Sequence, residues 1–283
     1  MKKILIIGSQ GYVGSNLVKY LDSENYDLTL VDNQLRKSNV GNSFIKTSYQ
    51  DLDETFLNHF EECVWLAGHS SVGMANEDPE YALHNNFIDL INFYKKFNGR
   101  FIYASTGSVY SRDDNSLSDE ESNLSTPKNM YDYSKVSFDN YLVASNLPAI
   151  TLRFGTVNGF GTNIKSELMI NSMVKAFKEK NVLNVNNGNF YRPILWLYDL
   201  IPAIKTILDS NVNDGVFNLC SFNSKIEDIA IGTAEILGSK INKLDDTPTY
   251  NFQMKNDKFR ETFNFEFKGN LEIIVNQLLE NKY

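Results

Sequence analysis

The 283-residue chain is short of several things, and each shortage removes a class of protein. Its two cysteines, Cys63 and Cys220, stand in or beside apolar strand-like runs without CxxC or Cys/His spacing. That excludes a disulfide framework and a cysteine-based metal site, and it fits buried thiols in a reducing compartment. No apolar run approaches the roughly 20 residues of a membrane span. The opening run Ile4 to Ile7 meets glycine rather than a cleavage site, so it reads as a buried strand and not as a secretory signal. Basic residues are in deficit, 27 against 35 acidic, and the formal net charge of -8 repels nucleic acid and anionic membrane surfaces. An anionic small ligand would therefore need a local cationic site. Neither GxxxxGK[ST] nor GxSxG occurs, which removes the P-loop nucleoside-triphosphatases and the nucleophile-elbow hydrolases. The expectation is a cytoplasmic enzyme without membrane or nucleic-acid partners.

What is present is ordinary for a globular protein: 42% hydrophobic and 22% charged residues, in a chain long enough for one large α/β domain and a smaller lobe. Short β-branched runs at Lys3 to Ile7, Leu28 to Val31, Cys63 to Ala67, Arg100 to Ala104 and Ala149 to Phe154 alternate with helical patterns. The helical patterns cover Gly11 to Ser23, Asp53 to Phe60, Pro79 to Phe97 and Pro127 to Ser145, the last with Thr126 as its cap and Pro127 in its first turn. Such alternation predicts an α/β fold, a doubly wound parallel sheet covered on both faces. After about Gly155 the alternation gives way to glycine and asparagine punctuation. We expect residues 1–160 to form the first domain and 161–283 a smaller α/β substrate lobe, with Pro193 to Tyr198 and Val216 to Cys220 as strands that could return to the main sheet.

Gly8-Ser9-Gln10-Gly11-Tyr12-Val13-Gly14 follows a strand and opens a helix. In that context glycine permits the turn, the close approach of a pyrophosphate and tight helix-on-strand packing, with the helix N-terminus facing the anion. Alone the motif also describes a simple strand-to-helix turn. Asp32, at the end of the second strand, adds a carboxylate suited to a ribose diol and repels a 2'-phosphate, which points to NAD rather than NADP. Arg36 and Lys37 follow closely and could neutralise such a phosphate, or lie in a solvated loop.

Tyr131 and Lys135 stand at i and i+4, on one face of a helix. With a pKa of ~10, about one phenol in a thousand is ionised near pH 7, a deficit of roughly 4 kcal/mol. A lysine ammonium and an oxidised nicotinamide both favour phenolate, which would make Tyr131 a base for a sugar hydroxyl. The same pair also suits an amphipathic helix with a surface lysine.

Taken in order, Gly8 to Gly14, Asp32-Asn33, Leu66-Ala67-Gly68, Ser105-Thr106 before Val109-Tyr110, and Tyr131-Asp132-Tyr133-Ser134-Lys135 resemble the extended short-chain dehydrogenases of the Rossmann fold, notably nucleotide-sugar epimerases. Leu152 to Gly159 resembles that family's LRxxNxYG segment, and Arg192 with Asp199 its RxxxxxxD segment. The resemblance implies NAD as cofactor and a nucleotide-activated sugar as substrate. By it Thr106 would hydrogen-bond the reacting hydroxyl, Tyr131 would be the acid/base, and Lys135 would hold the nicotinamide ribose and tune Tyr131. Asp51 and Leu52 would line the adenine, Leu66, Ala67 and Gly68 the middle of the cofactor, and Asn86 the back of its pocket. Tyr12, Val13, Asn33, Ser105 and Phe154 complete the expected cofactor contacts. Arg192 would pair with the substrate diphosphate, its rival role being a salt bridge between lobes, while Thr156 and Asn171 are further substrate candidates.

Departures shape the expected reaction. Thr156 stands where the family often has Asn, and Asn158 where it has Tyr. Gly107-Ser108 replaces the Asp-Glu pair common in 4,6-dehydratases, and neither cysteine matches a 3,5-epimerase site. His69 faces the cofactor pocket or is satisfied within its loop. The reading is reversible hydride transfer at a sugar carbon, with 4-epimerisation ahead of a 4-ketoreductase or dehydrogenase. A redox-inactive NAD-sensing regulator is the rival of another class, disfavoured by the intact Tyr131/Lys135 pair. A homodimer is expected, because apolar residues such as Phe87, Ile88, Ile91, Phe138 and Tyr141 surround two helices more widely than one buried face allows.

Overall fold

A computed structural model describes residues 1–21, 26–35, 43–111 and 115–281; Arg36 and Lys37 lie outside these. In chain order the first elements are β1 (Lys2–Ile7), α1 (Tyr12–Leu21), β2 (Tyr26–Asp32), β3 (Ile45–Lys46), α2 (Glu54–Leu57), β4 (Glu62–Trp65), α3 (Val72–Glu77), α4 (Pro79–Leu83) and α5 (Asp89–Lys96). Then come β5 (Arg100–Thr106), β6 (Leu117–Ser118), α6 (Met130–Ala144), β7 (Ile150–Phe154), β8 (Thr156–Asn158), α7 (Met169–Lys180), β9 (Val182–Val185), β10 (Tyr191–Trp196) and α8 (Leu197–Leu208). The remainder is β11 (Gly215–Leu219), β12 (Phe222–Lys225), α9 (Ile226–Leu237), β13 (Lys240–Lys243), β14 (Gln253–Met254), α10 (Asp257–Phe263) and α11 (Leu271–Glu280).

Seven strands form the central parallel sheet in the order β11-β7-β5-β4-β1-β2-β3. The order reverses beside β1, the switch point at which doubly wound sheets bind ligands. The β1 residues from Ile4 onward are fully buried, as a strand covered on both faces requires. Two compact units divide the chain: residues 1–109, 126–152 and 211–216 form the first, and 110–125, 153–210 and 217–283 the second. Residues 153–160, expected in the first domain, thus belong to the second unit, as does the segment 110–125. Of the two strands expected to return, β11 joins the main sheet, whereas β10 lies between β12 and β8 in a separate three-stranded sheet.

The core of the first unit is aromatic. Trp65 meets Tyr49 and Phe93 with ring centroids 4.6 and 4.7 Å apart, and Tyr103 meets Phe138 at 4.7 Å. Phe138, expected in part for an interface, is fully buried in this core. The second unit has an aliphatic core from α7, β9, α9 and α11, including Ile170, Val174, Leu183, Ile229 and Leu278.

Two helices depart from their sequence pattern. The expected continuous helix from Pro79 to Phe97 is divided by a π turn at His84–Ile88, a wide turn of the kind often found at functional sites. The helix expected from Pro127 begins instead at Met130. Asn129, not Thr126, caps it, accepting from the Asp132 amide at 3.0 Å while its own Nδ2 donates to Asp132 Oδ2 at 2.6 Å. Asparagine is among the strongest N-caps, and an acidic residue at the third helical position answers it as in a capping box, so this reciprocal pair overrides threonine followed by proline.

Candidate active site

The Gly-rich turn is shaped by backbone proximity. Gly8 has φ +87°, and a Cβ there would lie 2.6 Å from the Ala67 amide; a Cβ on Gly14 would lie 2.1 Å from the Gly8 carbonyl. Both positions therefore demand glycine on steric grounds. Helix α1 starts directly after the turn and carries no acidic residue in its first turn, leaving its positive end open to an anion. The Asp32 carboxylate accepts from the Gln10 amide at 3.0 Å and the Gln34 amide at 2.6 Å, which anchors it at the end of β2 beside the turn. Asn33 Oδ1 accepts from the Leu35 amide. These residues fit a dinucleotide: a backbone cradle a side chain would fill, a helix N-terminus and a fixed carboxylate.

Behind the cradle, Leu66 to Gly68 leaves β4, and fully buried Asn86 clamps the loop that follows. Its Oδ1 accepts from the His69 amide at 2.8 Å, while its Nδ2 donates to the His69 carbonyl at 3.0 Å and to Ser134 Oγ of α6 at 3.1 Å. Asn85 Nδ2 lies 3.1 Å from His69 Nδ1, and the Tyr81 ring meets the imidazole edge-on. Burial lowers the His69 pKa, so the ring is neutral near pH 7 and held within its own surroundings. Leu52 is buried, whereas Asp51 is exposed at the end of a 3-10 turn. Tyr12 is buried at the start of α1, with Val13 beside it half-buried.

Strand β5 and helix α6 bring the reactive groups together. Thr106 is hydrogen-bonded to the Tyr131 phenol. Desolvation pushes that phenol up to about 12, with the Asp132 charge adding to the rise. The buried Lys135 ammonium donates to the Ala104 carbonyl at 3.1 Å and sits 4.8 Å over the Tyr103 ring. Burial lowers its pKa to about 8, opposed by the Asp139 carboxylate. Ser105 Oγ donates to Asp139 Oδ1 at 2.8 Å, tying β5 to α6 one turn beyond Lys135. The Tyr103 hydroxyl has no hydrogen-bond partner among the described residues.

Sequence reading missed a further chain of contacts. Thr106 Oγ1 lies 3.0 Å from Ser108 Oγ, and Ser108 Oγ donates to Asp132 Oδ1 at 2.7 Å. All three side chains are buried. The Asn129 and Asp132 spacing was the available signal, since a capping pair at a helix start turns its acid inward.

The remaining candidates belong to the second unit. Arg192 is buried, with Nη2 donating to Thr249 Oγ1 at 2.7 Å and Nη1 to the Tyr191 carbonyl at 3.0 Å. Its guanidinium stands 5.9 Å from the Tyr250 and Phe252 ring centroids. Desolvation lowers its pKa to about 10, and no carboxylate among the described residues pairs with it. Asp199 instead accepts from Ser221 Oγ and the Lys268 and Gly269 amides. Asn171 is fully buried; its Oδ1 accepts from the Gly159 amide and its Nδ2 donates to the Lys165 carbonyl. Asn158 Oδ1 accepts from the Ile170 amide, capping α7 from a distance. Phe154 and Thr156 are half-buried on β7 and β8.

Comparison with known proteins matches these features to one family. The model of the NAD dependent epimerase/dehydratase family matches residues 4–220. Protein CapI of Staphylococcus aureus is 29% identical over 232 residues, spanning 73% of this chain and 69% of its own. An ADP-L-glycero-D-manno-heptose-6-epimerase of Brachyspira hyodysenteriae is 26% identical over 249 residues, 78% of this chain and 77% of its own. Among solved structures, the NAD-dependent NDP-hexosamine 5,6-dehydratase TunA superposes with a TM-score of 0.86 at 20% identity, covering 99% of this chain and 97% of that one. With the glycine cradle, Asp32 and the Thr106, Tyr131 and Lys135 group in place, the chain belongs to the NAD dependent epimerase/dehydratase family of extended short-chain dehydrogenases, and NAD is its cofactor.

Proposed function

We propose that the protein interconverts two nucleotide sugars by reversible hydride transfer at a sugar carbon, with 4-epimerisation the reaction. The observation that carries this reading is the buried group of Thr106, Tyr131 and Lys135 on a fold of this family. NAD, when bound, supplies the hydride acceptor and a positive charge. Tyr131 exchanges the proton of the reacting hydroxyl, Thr106 holds the oxygen, and Lys135 supplies a positive charge near the phenol while binding a ribose. Gly107 and Ser108 provide no carboxylate pair for water elimination. The nearest acid, Asp132, has its oxygens engaged by Ser108 and Asn129, which supports epimerisation over dehydration. Arg192, buried without a carboxylate partner among the described residues, is our candidate for the substrate diphosphate. Asp32 is our candidate for the adenine ribose, with Leu66 to Gly68 along the cofactor.

The test is incubation with a panel of UDP, GDP, dTDP and CDP sugars without added NADH, products being resolved by stereochemistry. We expect conversion with no lasting cofactor reduction and a loss of at least about a hundredfold for Tyr131→Phe. Stoichiometric NADH formation or consumption would make the enzyme a dehydrogenase or ketoreductase, and a 4-keto-6-deoxy product a dehydratase. We also propose a cytoplasmic homodimer, supported by Ile88 beside α5 and Tyr133 and Val143 of α6, which are 36, 50 and 70% exposed. Sedimentation as a monomer at micromolar concentration would refute the dimer.

A further inference from the structure

We infer that Asp132, acting through Ser108, sets the direction of the hydrogen bonds at Thr106, so that Thr106 offers the Tyr131 hydroxyl a lone pair and not a proton. The inference rests on the reading of Tyr131 as the proton-transfer group, and it makes Ser108 and Asp132 positioning residues. The argument counts protons. Asp132 sits in the first turn of α6, where the helix dipole favours an anion, and receives Ser108 Oγ at 2.7 Å and Asn129 Nδ2 at 2.6 Å. An ionised carboxylate only accepts, so the Ser108 proton is committed to it. The 3.0 Å contact between Ser108 and Thr106 then needs the proton of Thr106. Thr106 Oγ1 also accepts from the Ser108 amide at 3.3 Å, which leaves it one lone pair. Toward Tyr131 it can only accept.

A Thr106 proton aimed at the phenol oxygen would stabilise phenolate, and this polarity withholds it, so the network holds Tyr131 protonated. The titratable neighbours acting on Tyr131 are Asp132 and, across on β5, Tyr103; Lys135 lies one turn along α6, with Asp139 a further turn on.

The capping pair makes the polarity reversible by one substitution. Asn129 Oδ1 is held by the residue 132 amide, so its Nδ2 is a fixed donor toward the carboxylate. In Asp132→Asn the new amide must turn its oxygen to Asn129 and its NH2 to Ser108. Ser108 then donates to Thr106, and Thr106 to the phenol. Ser108→Ala frees the Thr106 proton by another route and keeps the Asp132 charge.

The experiment follows Tyr131 directly in the NAD-saturated protein, by pH titration of ring-carbon-labelled tyrosine resonances, with Tyr131 assigned by its absence in Tyr131→Phe. Both Asp132→Asn and Ser108→Ala should move the Tyr131 midpoint to lower pH by about one unit or more, the size expected when a donor to an anion replaces an acceptor. A midpoint in Ser108→Ala equal to wild type overturns the inference, because any shift in Asp132→Asn would then be loss of charge alone. A rise in either variant overturns it too, and Ser108→Ala decides the matter if Asp132→Asn does not fold. Failure of the underlying reading is separate: Tyr131→Phe would then keep full activity, whatever the titration shows.

Discussion

Lys135 is charged in a place that resists charge, and that can be measured. Its ammonium is 5% exposed, and desolvation brings its pKa from 10.5 to about 8. A shift of that size corresponds to about 3 kcal/mol of destabilisation carried by the protonated lysine. Below pH 8 the group is protonated whether the chain is folded or unfolded, and the penalty is complete. Between about 8 and 10.5 the folded chain has released the proton while the unfolded chain keeps it, so stability rises with pH. In Lys135→Met this contribution is absent. Urea unfolding at pH 7 and pH 9.5 should therefore show wild type gaining about 2 kcal/mol relative to Lys135→Met, from some 1.5 pH units beyond the folded midpoint. Taking the difference between the two chains cancels the tyrosines and cysteines that titrate in both. A wild-type advantage that does not change between the two pH values would mean that Lys135 keeps its proton throughout, and the burial argument would be wrong. The same deprotonation removes the cation beside Tyr131, so kcat/KM should fall above about pH 8.

Gly14→Ala should abolish NAD binding in a fluorescence titration, since its Cβ would press on the Gly8 carbonyl at 2.1 Å; Gly11→Ala, whose nearest contact would be 3.4 Å, should disturb the turn far less. Asp32→Ala should narrow the preference for NAD over NADP measured by calorimetry, because it removes both the ribose acceptor and the repulsion of a 2'-phosphate. An unchanged ratio would move attention to Arg36 and Lys37. Tyr103→Phe should raise stability by about 1 kcal/mol in denaturant unfolding, since it deletes a buried hydroxyl that finds no partner among the described residues. A loss of more than that would mean that the hydroxyl is satisfied by solvent.

The elements that repeat a local pattern were legible from residues alone. All five expected strands of the first half exist, their ends moving by one or two residues, as hydrophobic runs between glycine-rich turns require. Gly8, Gly14 and Asp32 were readable because turn, helix start and strand end lie close in sequence. What was not legible depends on contacts made after folding. The start of α6 turned on the reciprocal bonds of Asn129 and Asp132, and the division of Pro79 to Phe97 on a turn that no residue type announces. The Thr106, Ser108 and Asp132 network joins residues 24 apart in the chain. Arg192 and Asp199 stood together in a family segment, yet each found partners elsewhere.

The π turn at His84–Ile88 ties the length of this segment to two neighbours at once. On its near side, consecutive Asn85 and Asn86 grip the ring and the backbone of His69. On its far side, α5 delivers Leu90, Phe93 and Tyr94 to the aromatic core. Removing one residue would restore an ordinary helix and swing everything downstream by about 100°. The core residues would then face away, or the asparagines would. Such a turn is gained by one insertion but is not easily lost by one deletion, and a lineage that acquires it is held to that segment length.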